Sequence, residues 1–124
     1  MSVLTTQARG EEGEDRALAH LRGAGLKLLQ RNYRVAAGPR SRGGEIDLVL
    51  REPDGTLVFV EVRQRAAGAR VGAAASVSAT KRRRLVFAAQ HYLQRLASLP
   101  PCRFDVVAID GDQLEWIRAA FYAA

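Results

Sequence analysis

The residues best suited to chemistry are two acids, each set inside a run that reads as a β-strand. Asp47 lies within Gly-Glu-Ile-Asp-Leu-Val-Leu, and Glu61 lies within Leu-Val-Phe-Val-Glu-Val-Arg. Side chains alternate across a strand, so Asp47 takes the face opposite Ile46, Leu48 and Leu50. By the same rule Glu61 shares a face with Phe59 and Arg63 rather than with the intervening valines.

The turn between these two runs sets their register. Residues 52–55 read Glu-Pro-Asp-Gly, which is strong turn chemistry and predicts an antiparallel hairpin. If Glu52 opposes Thr56, Asp47 lies directly opposite Glu61, with Cβ atoms about 4.5–5.5 Å apart. A slip of one residue would place the two acids on opposite faces.

Two opposed carboxylates repel each other unless a cation or a shared proton joins them. Oxygen ligands at this separation suit Mg²⁺ or Mn²⁺, which could polarise a phosphate and lower the pKa of a bound water. Arg63 points to the same side and could neutralise phosphate charge. The alternative from spacing alone is an ordinary set of cross-strand ion pairs on an exposed face.

The surrounding pattern predicts an α/β protein with a mixed sheet of about five strands in the order α-β-β-β-α-β-β. The length of 124 residues suits one domain, 1–124. Helices are predicted over residues 6–24 and from Ser78 or Thr80 to residue 99, where Leu85, Ala89, Leu93 and Leu96 form an apolar stripe. Strands are predicted over residues 26–35, 44–51, 56–65, 103–109 and 113–117, with a loop over 36–43 and a mobile loop over 66–77.

Composition restricts the class of protein. The formal net charge is +6 and the pI is near 10.4, which indicates nucleic acid as a partner or a basic surface that serves solubility. No apolar run reaches the roughly 18–20 residues of a membrane span, so we expect no membrane. Cys102 is the only cysteine, which excludes a disulfide scaffold and a cysteine-built zinc site. The N-terminus does not resemble a cleaved signal, and a cytoplasmic location is the expectation.

Taken in order, the sequence motifs resemble the YraN family of endonuclease-like proteins. That family is similar to the PD-(D/E)XK nuclease superfamily, close to archaeal Holliday-junction resolvases, and the resemblance runs from about Gly10 to Phe121. It implies a restriction-endonuclease-like core. The motifs that carry it are Gly13-Glu14, Asn32-Tyr33-Arg34, the run from Gly44 to Val49, the run from Val58 to Arg65, Lys81-Arg82-Arg83 and Arg103-Phe104-Asp105-Val106-Val107.

The resemblance implies a role for individual residues. Asp47 and Glu61 would ligate the metal, with Val62 offering its backbone carbonyl. Glu14 would be the acid on the first helix that approaches the metal from the side. Arg63 stands where the superfamily usually has Lys, and Arg cannot act as a base because it stays charged. Gln64 and Lys81 would contact substrate.

The expected function is a Mg²⁺- or Mn²⁺-dependent endonuclease that cleaves DNA, with a branched or single-stranded substrate favoured. Phosphate contacts carry affinity but no base sequence. One alternative is a nucleic-acid-binding module that kept the fold but cuts poorly or not at all, and another is an interaction protein with a basic surface. A homodimer is expected by analogy only. The backbone-binding residues would be Lys81, Arg82, Arg83, Arg84, Arg40, Arg42, Arg65 and Arg70.

Overall fold

The computed structural model describes residues 6–65 and 77–122, apart from the side chains of residues 6–9 and 65. Its elements follow the predicted order, α-β-β-β-α-β-β, and the fold class is confirmed. The predicted loop over 66–77 lies outside the described residues except for Val77. The elements are α1 (Thr6–Gly23), β1 (Lys27–Val35), β2 (Gly44–Arg51), β3 (Leu57–Arg65), α2 (Ala79–Leu93), β4 (Cys102–Asp110) and β5 (Gln113–Phe121).

The five strands form one mixed sheet in the order β1-β2-β3-β4-β5. Neighbouring strands are antiparallel except β3 and β4, which run parallel. A parallel pair needs a crossover, and α2 lies in the connection that supplies it. The sheet and its two helices form the restriction-endonuclease-like arrangement that the sequence predicts.

Each face of the sheet buries one helix. On one face α1 packs its apolar stripe on β2, β3 and β4. On the other face α2 packs on an aromatic-rich layer. The α1 core includes Leu18, Leu21, Leu48, Val58, Val60 and Val107, and the α2 core includes Tyr33, Phe59, Leu85, Tyr92, Phe104 and Phe121.

Ile46 departs from the predicted alternation. It packs in the α2 core beside Tyr33, whereas Leu48 and Leu50 pack in the α1 core. The β1 register places Asn32 across from Asp47, and Asn32 has a positive φ of 55°. The regular pleat is therefore broken beside Asp47, and the prediction that Ile46, Leu48 and Leu50 share one face was wrong for Ile46.

The predicted end of α2 was also wrong. The helix ends at Leu93 and not at residue 99, with Gln94 as its C-cap. Leu96 was assigned to the apolar stripe but is 37% exposed, and Leu99 is 77% exposed. The last predicted turns therefore have no core to pack against, and helical stability comes mainly from such packing.

The last strand is longer than predicted because of a buried acid. Asp105 is fully buried and accepts hydrogen bonds from Trp116 Nε1 and from the backbone N–H of Ala119. Ala119 has a positive φ of 49°, and the β4–β5 register shifts between Phe104 and Val106. This bulge carries β5 on to Phe121.

A close backbone contact sets the position of α2 over the sheet. A Cβ on Gly44 would collide with the backbone carbonyl oxygen of Arg84 and lie 3.0 Å from Ala88 Cβ. Only glycine lets α2 approach the start of β2 this closely. The helix is thereby held, through Arg84 and Ala88, beside the strand that carries Asp47.

Neither helix is long and apolar enough to cross a membrane, as judged over the residues that the structure describes.

Candidate active site

The β2–β3 register brings Asp47 and Glu61 together. Leu48 pairs with Val60 and Val49 with Phe59, which is the register that the turn predicts. Asp47 and Glu61 are the next residues along that register, and their carboxyl groups interact directly. The backbone N–H of Val62 donates to Asp47 Oδ2 at 2.8 Å and fixes the orientation of that carboxyl.

Burial makes this pair electrostatically unfavourable. The Glu61 side chain is 6% exposed, and desolvation together with the Glu61 charge raises the pKa of Asp47 to about 8. The charge of Glu14 raises this pKa further, whereas the Val62 hydrogen bond lowers it. Two carboxylates in this setting cannot both ionise freely near neutral pH without a cation.

A lysine from α2 supplies a positive charge at this point. Lys81 Nζ lies 3.1 Å from Glu61 Oε1, and the ammonium group is partly exposed while its partner is buried. Sequence reasoning assigned Lys81 to substrate and missed this ion pair. No local pattern indicates it, because the contact depends on how the crossover helix lies on the sheet.

Arg63 stands apart from the acids. It lines the same cleft, and its Nε atom is buried without a hydrogen-bond partner among the described residues. Within that part of the chain, no ion pair joins Arg63 to Asp47 or Glu61. Its guanidinium is therefore not an ordinary cross-strand partner of the acids, which was the alternative interpretation.

Glu14 reaches the site from α1, as the resemblance implies. It lines the cleft, but its Oε1 atom also accepts from Arg31 Nε at 3.1 Å. Arg31 further pairs with Asp15 and donates to the carbonyl of Glu11. Glu14 is thus held in place by a partner on β1 that sequence reasoning did not identify.

The acid pair has the donor chemistry for one hard divalent cation. Mg²⁺ is usually held by one or two carboxylates, with waters and substrate phosphate completing its coordination. The carboxylates of Asp47 and Glu61 meet that need. Among the described residues, no group of three His, Cys, Asp or Glu side chains is arranged to hold a metal. The resemblance implies that the backbone carbonyl of Val62 would supply a third protein oxygen.

The cleft around the acids has a volume of about 730 Å³ and is lined by both acidic and basic side chains. Arg16 enters from α1, where its Nη1 donates to the carbonyl of Gly111, and Arg84 enters from α2. Gln64 lines the cleft and packs against Gly13 of α1. The contact is so close that a Cβ atom on Gly13 would lie only 2.8 Å from Gln64 Cδ. The described lining residues include Gly10, Glu14, Arg16, Glu45, Asp47, Glu61, Val62, Arg63, Gln64, Lys81 and Arg84.

The other predicted DNA contacts are scattered. Arg82 lies over the Phe121 ring, 5.1 Å from its centroid, and donates to the carbonyl of Val77. Arg83 is exposed and donates to Thr80 Oγ1. Arg40 and Arg42 are exposed in the loop before β2, away from the described lining of the cleft. Arg70 and the side chain of Arg65 lie outside the described residues.

Replacement of Asp47 by Asn should stabilise the metal-free protein, increasingly so as pH rises. The unfolded chain loses the Asp47 proton near 3.8, whereas the folded protein keeps it until about 8. Between these values the unfolded state binds fewer protons, so the free energy of unfolding of the wild type falls as pH rises. Asn keeps an oxygen that accepts the hydrogen bond from the Val62 N–H, and it cannot ionise. The variant therefore avoids the pH-dependent fall in the free energy of unfolding, which is roughly a few kcal/mol at slightly alkaline pH.

The measurement is urea unfolding in EDTA at several pH values from about 5 to about 9. Asp54→Asn is the matched control, because the Thr56 N–H lowers the pKa of Asp54 and keeps it ionised throughout this window. A wild-type minus Asp47→Asn difference that does not change with pH would contradict the account of the pair.

Comparison with known proteins identifies relatives along almost the whole chain. The profile of the family described as "Uncharacterised protein family UPF0102" matches residues 13–109. A UPF0102 protein of Methylibium petroleiphilum is 67% identical over 122 residues, which cover 98% of this chain and 100% of that protein. A UPF0102 protein of Acidovorax sp. is 63% identical, covering 97% and 89% of the two chains. The chain therefore belongs to the UPF0102 family, which is the YraN family of endonuclease-like proteins.

Proposed function

We propose that this protein is a cytoplasmic, metal-dependent endonuclease that hydrolyses DNA phosphodiesters. The observation that carries the proposal is a pair of interacting carboxylates, the partly buried Asp47 and the buried Glu61, inside a cleft that is also lined by several basic side chains. A fold alone does not establish an activity, so the argument depends on this site. Mg²⁺ or Mn²⁺ would supply polarisation of a phosphate oxygen and a bound water of lowered pKa.

The acids are arranged to hold a cation without rearrangement of the backbone. Asp47 is fixed by the Val62 N–H, and Glu61 projects from the neighbouring strand of the same hairpin. Both side chains come from paired strands, which hold a site more firmly than loops do. Glu14, held by Arg31, adds negative charge from α1 at the edge of the cleft.

In this proposal Arg63 stabilises charge on the substrate. Its buried Nε lacks a partner among the described residues, and an unmade hydrogen bond of a charged group is costly. Arg63 also lines the cleft, and a phosphate oxygen there would accept a charge-assisted hydrogen bond from its guanidinium. Arg63 stays protonated, so it can stabilise a pentavalent phosphate but cannot accept a proton.

The basic side chains around the acids favour recognition of the DNA backbone. Arg16 and Arg84 come from the two helices and line the cleft from opposite faces of the sheet. Contacts of this type fix the register of a strand but read no base sequence. We therefore propose a branched or single-stranded DNA as substrate, and the homodimer stays a prediction.

The cleavage assay uses branched, single-stranded and duplex DNA with Mg²⁺, with Mn²⁺ and with EDTA. Asp47→Asn and Glu61→Gln should reduce metal-dependent cleavage to the EDTA level, because each removes one anionic ligand. Arg63→Lys should preserve or raise cleavage, and Arg63→Ala should lower the rate by about 10²–10³ through loss of transition-state charge stabilisation. Glu115→Gln, on the exposed part of β5, is the control that should cut like wild type.

One observation favours a second function, a nucleic-acid-binding module that does not cut. Arg63 occupies the position where the superfamily usually has Lys. Salt-sensitive DNA binding without cleavage above the Asp47→Asn background would support the module and contradict the nuclease. Equal cleavage by wild type and Arg63→Ala would remove Arg63 from the catalytic account. Absence of both cleavage and binding would favour the interaction protein.

Both nucleic-acid functions predict affinity that falls steeply with salt. Each neutralised phosphate contributes a log–log slope of about −0.9 on duplex DNA. Replacing Arg83 and Arg84 with Ala should flatten the slope by up to about two units. Arg82 is left intact because its packing on Phe121 would confuse stability with binding.

The matched control removes two arginines from the other end of the molecule. Arg22 lies in the last turn of α1 and Arg51 ends β2, and both are exposed. The slope is measured by fluorescence anisotropy with labelled DNA over a range of KCl. If the Arg22/Arg51 double variant changes the slope as much as the Arg83/Arg84 variant, DNA contact is not confined to the face that bears the cleft.

A further inference from the structure

The chain has two lysines, and one of them lies on the acid pair. Lys27 is exposed at the start of β1, whereas Lys81 contacts Glu61 at 3.1 Å. Glu61 is one of two buried charged residues among those that the structure describes, the other being Asp105. The cation that neutralises Glu61 is therefore a single flexible side chain from the facing helix.

The position of Lys81 in its helix opposes the usual charge preference. Ser78 caps α2 and its Oγ accepts the backbone N–H of Lys81 at 3.1 Å. The first helical turn has a positive end and favours acids, yet no acidic residue lies in the first turn of α2. Helix stability does not account for a lysine here, and the contact with Glu61 does.

We propose that Lys81 is the resident counter-ion of the acid pair and that a divalent cation must displace it to bind Glu61. This inference rests on the proposed metal site. Two cations that share one buried carboxylate repel each other strongly, because the effective dielectric constant is low at such a place. Binding of the metal therefore weakens the Lys81–Glu61 contact, and Lys81 weakens binding of the metal by the same factor.

Displacement gives Lys81 a second role. Lys81 lies in the first turn of α2 and lines the cleft together with Arg84, so its freed ammonium group would remain in that cleft. It can then bind a phosphate of the nucleic acid with its three donors. Metal and nucleic acid thus bind cooperatively, because the metal releases a cation that the backbone can use.

The affinity for Mn²⁺ tests the competition. Isothermal titration of wild type, Lys81→Met and Lys27→Met, without DNA, compares loss of the same charge at two places. Lys81→Met should bind Mn²⁺ about tenfold more tightly than wild type, and Lys27→Met should bind like wild type. Equal affinity of all three proteins would overturn the inference while leaving the metal site intact.

Amine labelling of the wild type provides a second measurement that does not depend on a variant folding well. Lysine acetylation at fixed pH, read by peptide mass spectrometry, gives the ratio of Lys81 to Lys27 modification. The ratio should rise severalfold with Mn²⁺, and Glu61→Gln should raise it without metal. A ratio unaffected by Mn²⁺, in samples where titration shows binding, overturns the inference alone. Absence of Mn²⁺ binding in wild type and Lys81→Met overturns the metal site as well.

Discussion

The rest of the site depends on the repulsion between two carboxylates that the sheet holds together. The hairpin register leaves Asp47 and Glu61 adjacent, and burial prevents water from screening them. The protein answers this repulsion in two ways, with a raised Asp47 pKa and with the Lys81 ammonium on Glu61. Together they leave Asp47 protonated at neutral pH and Glu61 paired with Lys81, so a divalent cation at this site would replace a proton and an ammonium group. A structural role would not require this arrangement, since an apolar pair would pack at less cost.

The positively charged side chains near the acids have different roles. Arg31 is committed to holding Glu14 on β1, and Lys81 is committed to Glu61 only in the metal-free protein. Arg63 has no such commitment among the described residues and keeps a buried donor unused. Asp105 shows the contrasting case of a buried acid whose partners, Arg103 and Trp116, satisfy it completely enough to be purely structural. An acid held by several fixed protein partners belongs to the framework, whereas a pair held by a shared proton interaction and one flexible lysine marks the site.

Local chemistry determined what could be predicted from the sequence. The turn at residues 52–55 predicted the register, which the structure shows up to the Leu48–Val60 pair, and the carboxyl groups of the next two residues, Asp47 and Glu61, interact. The ion pairs of Lys81 and Arg31 were missed because each joins a helix to a strand. The periodicity of a strand does not indicate how far a helix lies from it. Ile46 lies on the face opposite to the predicted one, next to the irregular backbone at Asn32. The apolar stripe of α2 continues in the sequence beyond the part of the helix that packs on the core. Arg82 was predicted to contact DNA because it lies in a basic run. Its packing on Phe121 depends on the position of β5 in the sheet, which the local sequence does not indicate.

The central claim is that Asp47 and Glu61 together hold one divalent cation. The most direct measurement is diffraction from crystals soaked in MnCl₂, recorded on both sides of the manganese absorption edge. The account predicts one anomalous peak within bonding distance of both carboxylates, with Lys81 Nζ moved away from Glu61. A map without a peak between them, with the carboxyl groups still in contact and Lys81 still on Glu61, would contradict it.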